Sequence, residues 1–361
     1  VCARRSAGAA LCWGQNAQQQ AGLATPARLD TPTLVVGVTG ALQLALGDTH
    51  GIARGPTMRA WGTNTYGQIA TQYVASTPIA VSGCCSAPRA ASVVAGWEHS
   101  CAVTDTGGVG CWGRNQRGQL GDGTSTTAAA GTISAAVTAR TATGAITGVT
   151  SLALGRYHTC ALTTTQRVYC WGDNTYGELG RAASATAQTT ALPVLDAAGA
   201  ELTGVQEIAA GDGFTCARIS GAVRCWGDNL RGSTGSPSGA REVATPTVVP
   251  DITDATAIAA GQFFACALRT GGRVHCWGGN LDGQAGQPAS SIVYASALSL
   301  VRYADGAAVT DAVSLALGAS HACAATAQGA LVCWGRNYDA QLGDGTRVSR
   351  DRAARARWPV Y

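Results

Sequence analysis

Fourteen cysteines are the residues of this chain best placed to do chemistry, and most of them are spaced in pairs. Cys2 and Cys12, Cys101 and Cys111, Cys160 and Cys170, Cys266 and Cys276, and Cys323 and Cys333 stand ten apart, and Cys216 and Cys225 nine apart. Thiols can bind metal, exchange electrons or form a bridge. No Cys-x-x-Cys spacing and no Cys/His cluster accompanies these pairs, so a metal site has little support. On the two strands of an antiparallel hairpin such positions face each other, at Cα separations that a disulfide can span. Ile52 and Ala60 occupy one more equivalent pair of positions, and both thiols are missing there together. Bridged partners would be lost jointly; independent core cysteines would leave half-pairs. Six disulfides within hairpins are therefore predicted. Cys84 and Cys85 are left over in Ser82-Gly83-Cys84-Cys85-Ser86, where a vicinal bridge or a link to another chain are both open. This cysteine usage points to an oxidising compartment, and so to a secreted, extracellular or cell-surface protein.

The other reactive residue types give less. Four of the five histidines, His50, His99, His158 and His321, recur at one repeat position, where Phe214 and Phe264 also stand. A position that accepts phenylalanine wants a flat packing group, not a ligand. His275 reads as a strand residue. Leu120-Gly121-Asp122-Gly123-Thr124 and Leu342-Gly343-Asp344-Gly345-Thr346 resemble calcium loops in composition but read as Asp-Gly turns. No glycine-rich phosphate loop opens a helix, no Gly-x-Ser-x-Gly elbow is present, and the acidic residues are scattered. No catalytic residue, metal site or cofactor is expected.

The elements that position these residues come from a repeat of about fifty residues. Trp-Gly recurs at Trp13, Trp61, Trp112, Trp171, Trp226, Trp277 and Trp334, followed two residues after the glycine by Asn16, Asn64, Asn115, Asn174, Asn229, Asn280 and Asn337. Upstream, a small-residue alternation such as Ser151-Leu152-Ala153-Leu154-Gly155 reads as a strand, and a second strand ends at Cys-Trp-Gly. Strand, loop, strand, tight turn, strand, repeated seven times, makes an all-β, seven-bladed β-propeller spanning 1–361 as one domain. The run from His158-Thr159-Cys160 through Trp171-Gly172-Asp173-Asn174-Thr175-Tyr176-Gly177-Glu178-Leu179-Gly180 resembles the regulator of chromosome condensation repeat family, and the resemblance covers nearly the whole chain. It implies the propeller fold, while function varies across the family. Members include nuclear exchange factors for a small GTPase, the plant ultraviolet-B receptor and secreted bacterial inhibitors of β-lactamase. A tryptophan cluster like the plant receptor's would need neighbours for Trp97, and the equivalent positions are mostly other residues.

Composition narrows the function. Charged residues are 13%, the net charge is +4, and all 25 basic residues are arginine. This balance leaves no general nucleic-acid footprint. No run of about 18 apolar residues is present, so no membrane-spanning helix is expected. Arg347, Arg350, Arg352, Arg355 and Arg357 read as a solvated stretch. The first repeat enters at Val1-Cys2, already in its second strand, and Trp358-Pro359-Val360-Tyr361 resembles the lead into a first strand. An incomplete blade with an open edge is therefore expected, which a flanking segment or a partner strand would fill. The expectation is a bacterial secreted scaffold, assembly subunit or partner-binding module, with no catalytic activity. A secreted enzyme inhibitor and, further off, a guanine-nucleotide exchange factor are the alternatives. Hairpin pairing puts residue 157 near 173, so two variable loops share one face. Variation there implies exposure, and Trp97, Arg156, Tyr157, Phe263, Tyr66, Tyr176 and Tyr338 are the expected partner contacts.

Overall fold

A computed structural model describes residues 1–71, 74–81, 90–126, 137–236, 239–293 and 299–357. Cys84, Cys85 and the segment 358–361 lie outside them. The architecture is a seven-bladed β-propeller. Six blades have at least four antiparallel strands in chain order, and the first has three, Cys2–Arg4, Ala10–Gln15 and Arg28–Leu34. The fourth blade is representative. Val149–Leu154 lies nearest the axis, followed outward by His158–Thr163, Val168–Asn174 and Ser184–Pro193. Inner strands of neighbouring blades pack side by side around the axis. Each inner strand ends in glycine because the blades meet there backbone to backbone. A Cβ on Gly96 would sit 2.9 Å from the Gly155 carbonyl oxygen of the next blade.

The repeat residues explain the seams. All seven Trp-Gly tryptophans are fully buried. Each indole N–H donates to a backbone carbonyl of the preceding blade: Trp61 to Gln20, Trp112 to Gln68, Trp171 to Gln119 and Trp226 to Glu178 at 2.8–2.9 Å, Trp277 to Ser233 and Trp334 to Gln284 at 3.0 Å. Trp13 closes the circle on Gln341 at 2.8 Å. The repeat asparagine does local work. Its Oδ1 accepts the N–H five residues on in every blade, as Asn174 does from Leu179 at 3.0 Å, and its amide ties down the following loop.

The six predicted disulfides are present, joining directly opposed residues at Cα separations of 4.0–4.1 Å. Cys216 and Cys225 are one residue closer in sequence because Ser220 and Gly221 form a two-residue turn, both with positive φ. In the second blade Ile52 faces Ala60 in the same register, both fully buried. His50, His99 and His158 are buried packing groups, as the exchange with phenylalanine requires, and His321 is half-buried. His50, His99 and His158 also reach across a seam, each Nε2 lying 2.8–2.9 Å from the hydroxyl of Ser100, Thr159 or Thr215. The Asp-Gly loops are turns: Asp122 Oδ1 accepts from the Thr124 N–H and hydroxyl, and Asp344 Oδ1 from those of Thr346. Within the basic stretch, Arg347 pairs with Asp30 and Arg350 with Asp344.

Candidate partner-binding face

One end of the propeller gathers the two variable loops. The loop after each inner strand leads into the second strand, and the loop after Trp-Gly leaves the third. They are tied by one repeated bond, in which the residue after Trp-Gly donates its N–H to the residue before the second strand. Asp173 bonds Tyr157 at 2.9 Å, Arg114 bonds Glu98 at 2.9 Å, and Thr63, Asp228, Gly279 and Arg336 do the same. The glycine of Trp-Gly makes this approach possible. Gly172 has φ +107°, and a Cβ there would collide with the Tyr157 carbonyl.

All the candidate contact residues lie on this face, and every aromatic one is stacked against an arginine. Arg156 lies 4.1 Å over the Trp97 ring and 5.0 Å from Tyr157. Arg114 sits 4.8 Å from Tyr66 and 5.0 Å from Tyr157, so these five side chains form one continuous ladder over three adjacent blades. The others form separate pairs: Arg231 with Phe263, Arg241 with Tyr176, whose hydroxyl it also bonds at 2.6 Å, and Arg336 with Tyr338. Stacking changes the exposure expected from sequence variation. Tyr338 is 57% exposed, whereas Trp97, Arg156, Tyr157, Phe263, Tyr66 and Tyr176 are half-buried. Each lends a ring face to its arginine and offers its remaining surface to solvent.

Of the stacking arginines only Arg156 was among the expected contacts; Arg114, Arg231, Arg241 and Arg336 were not. Arg114 and Arg336 occupy the position between Trp-Gly and Asn, which also varies (Thr63, Asp173, Asp228, Gly279), so the same variability criterion applied one residue earlier finds them. Arg231 stands beside Leu230 in a loop already recognised as variable. Arg241 precedes an outer strand, where the repeat leaves no aligned position to compare.

Carboxylates hold several of these arginines in place. Glu98 pairs with Arg114, Asp228 lies 3.9 Å from Arg241, and Asp212 lies 3.7 Å from Arg156. The face surrounds the mouth of an axial channel of about 490 Å³, lined there by Asp48, Trp97, Asp212 and Gln262. Burial raises the pKa of Asp48, and Glu98 adds to it. Burial likewise raises that of Asp212, against the pull of Arg156 and Gln262. Glu178, buried where most repeats carry glutamine, is pushed up to about 7, mainly by burial.

The sequence matches the profile of the regulator of chromosome condensation (RCC1) repeat at residues 90–119, 149–178, 255–284 and 312–341, and a second profile of the same repeat at 60–103 and 166–218. Among curated proteins it is similar to the E3 ubiquitin-protein ligase HERC2 of Homo sapiens, at 27% identity over 71% of this chain but only 5% of that protein's length. It is also similar to the ultraviolet-B receptor UVR8 of Arabidopsis thaliana, at 27% identity over 94% of this chain and 75% of the receptor. Among solved structures, human WBSCR16 superposes with a TM-score of 0.83 at 20% identity, covering 98% of this chain and 94% of that one. Yeast RCC1 (Prp20), solved bound to Kap60, gives a TM-score of 0.77 at 19% identity, covering 96% and 83%. With the repeat profiles matching more than half of the chain, and the seams of those repeats closing into a ring, this protein belongs to the RCC1 repeat family.

Proposed function

We propose that this protein is a non-catalytic, secreted or cell-surface module that binds a protein partner on the arginine–aromatic face. The observation that carries the reading is the placement of the cation–π stacks. A chain of this length would have roughly five scattered through it at the usual frequency of about one per 70–80 residues. Here all seven contacts among the described residues lie on one end. Arginine, tyrosine and tryptophan dominate binding hot spots, and stacking fixes their rotamers before a partner arrives, which lowers the entropy lost on binding. The six disulfides support a location outside the reducing cytosol. Yeast RCC1, whose structure was solved with Kap60 bound, is a similar propeller with a protein partner.

Cross-linking in native material, followed by mass spectrometry, identifies the partner. The triple variant Trp97→Ala, Tyr157→Ala, Phe263→Ala should then lose more than about 2 kcal/mol of affinity with the fold intact. Unchanged binding in that variant would move the site to the opposite face or to the blade edges.

A further inference from the structure

The channel mouth carries a feature that the aromatic stacks leave unused. The residue after each inner-strand glycine forms a crown: Asp48, Trp97, Arg156, Asp212, Gln262 and Ala319. Backbone bonds link four of its members, from the Arg156 N–H to Asp212 O at 3.0 Å, from Asp212 to Gln262 at 2.9 Å and from Gln262 to Ala319 at 3.1 Å. These four positions are thereby fixed around the channel. Arg156 is drawn outward over Trp97, while Asp48 and Asp212 line the wall. The Asp212 side chain is 9% exposed, and its Oδ1 has no hydrogen-bond partner. Its other oxygen is 3.7 Å from Arg156, beyond hydrogen-bonding distance, and Gln262 is the side chain that hydrogen-bonds the carboxylate. A desolvated carboxylate oxygen left unsatisfied costs folding free energy, and a cationic donor arriving from the channel would recover it. Further round the wall, Arg336 and Asp339 carry opposite charges, and Arg156 offsets one of the two crown carboxylates, so the mouth keeps one negative charge in excess.

We propose that the channel mouth is a socket for one basic side chain, an arginine or lysine carried by the protein ligand that docks on the surrounding face. The proposal rests on the partner-binding reading and names the chemistry at its centre. The cation donates to Asp212 Oδ1 and is flanked by Asp48 across the mouth. A guanidinium suits the site better than an ammonium because its planar fork can serve a carboxylate with two parallel N–H groups.

The probe is Nα-acetyl-arginine amide, with Nα-acetyl-citrulline amide as its neutral isostere, added to the oxidised full chain. The readout is the indole N–H resonance of Trp97, assigned with Trp97→Phe. The arginine amide should shift it saturably and the citrulline amide should not. Asp212→Asn should weaken the response about tenfold or more, the weight of one charge-assisted hydrogen bond. Thr165→Ala, in the exposed turn between His158–Thr163 and Val168–Asn174 at the opposite end of the blade, should leave it unchanged. The seven buried indole signals report that each variant is folded, and Asp48→Asn takes the place of Asp212→Asn if that variant does not fold. No saturable shift, an equal shift with citrulline, or an undiminished response in the asparagine variant overturns the socket. If the triple aromatic variant loses the partner while the arginine amide has no effect, the socket falls and the binding face stands.

Discussion

Acid should unfold this protein through its histidine belt, and replacing the belt with phenylalanine should remove most of that sensitivity. Ser100 Oγ donates to the Gln68 carbonyl at 2.9 Å, so its hydroxyl hydrogen is spent and His50 Nε2–H must donate to it. Thr159 and Thr215 fix His99 and His158 in the same tautomer by bonding the Gln119 and Glu178 carbonyls. A second proton would then have to go to Nδ1, which in His50 and His99 is buried without a partner. Burial accordingly lowers the pKa to about 4 for His50 and His158 and to about 3 for His99 and His321. Below pH 6.5 the unfolded chain binds protons at these sites that the folded chain refuses. The stability they contribute is therefore full above pH 6.5 and is lost as the pH falls towards 4. At pH 5.5 each site costs about 1.4 kcal/mol, and the four together about 6 kcal/mol, within the 5–15 kcal/mol that holds a typical domain folded. Phe214 and Phe264 already fill this position in two blades, fully buried, so phenylalanine fits. Each of the three seam bonds removed by substitution costs about 1 kcal/mol at every pH. Urea unfolding followed by tryptophan fluorescence at pH 7.5 and 5.5 measures the difference. Buried carboxylates act in wild type and variant alike, so the contrast isolates the belt. Wild type should lose about 6 kcal/mol more than the variant His50→Phe, His99→Phe, His158→Phe, His321→Phe between the two pH values. An equal loss in both would refute the assignment.

Glu178→Gln restores the residue most repeats carry. Because the folded pKa of Glu178 is raised to about 7, the stability linked to it is complete below pH 4.5 and is lost as pH rises through 7, so the variant should melt higher than wild type at pH 8.5 and equally at pH 4.5. Installing the second blade's natural pair as Cys101→Ile, Cys111→Ala should leave a folded protein less stable by about 3 kcal/mol in denaturant, the chain-entropy value for a loop this short. A variant as stable as wild type would mean that the bridge constrains nothing. Asn174→Ala strands the Leu179 N–H and the Ala182 carbonyl and should cost about 3 kcal/mol, read from the same unfolding curves. Non-reducing peptide maps should recover all six hairpin pairs, and free thiols at most of them would end the secreted reading.

The propeller was legible because its repeat is written in residues with single physical jobs. Tryptophan bridges a seam, glycine permits a backbone approach, asparagine closes a turn, and paired cysteines face across a hairpin. The joint absence at Ile52 and Ala60 marked register as well as bridging, since only opposed residues share a fate. The candidate face was legible as a location, because hairpin arithmetic places residue 157 beside 173 without any coordinates. Its chemistry was hidden for two reasons. Variation was equated with exposure, whereas Trp97 and Tyr157 vary because each is matched to a particular arginine. Arg241 reaches Tyr176 from sixty-five residues away, a contact that no repeat spacing encodes. The unsatisfied oxygen of Asp212 has no sequence signature at all, since it depends on where the Arg156 side chain turns.

The seams have an asymmetry that bears on how such rings diversify. The tryptophan side supplies a side chain, but the accepting side supplies only main chain, from Gln20, Gln68, Gln119, Glu178, Ser233, Gln284 and Gln341. A mutation at the accepting residue does not erase the bond, which is why glutamate and serine have entered positions otherwise held by glutamine. Each tryptophan bond is thus keyed on one side and blank on the other. Mutational drift can rewrite the loop that leads into the blank side, one blade at a time, without losing that bond. A face assembled from such loops can change specificity through single substitutions while the ring beneath it stays closed.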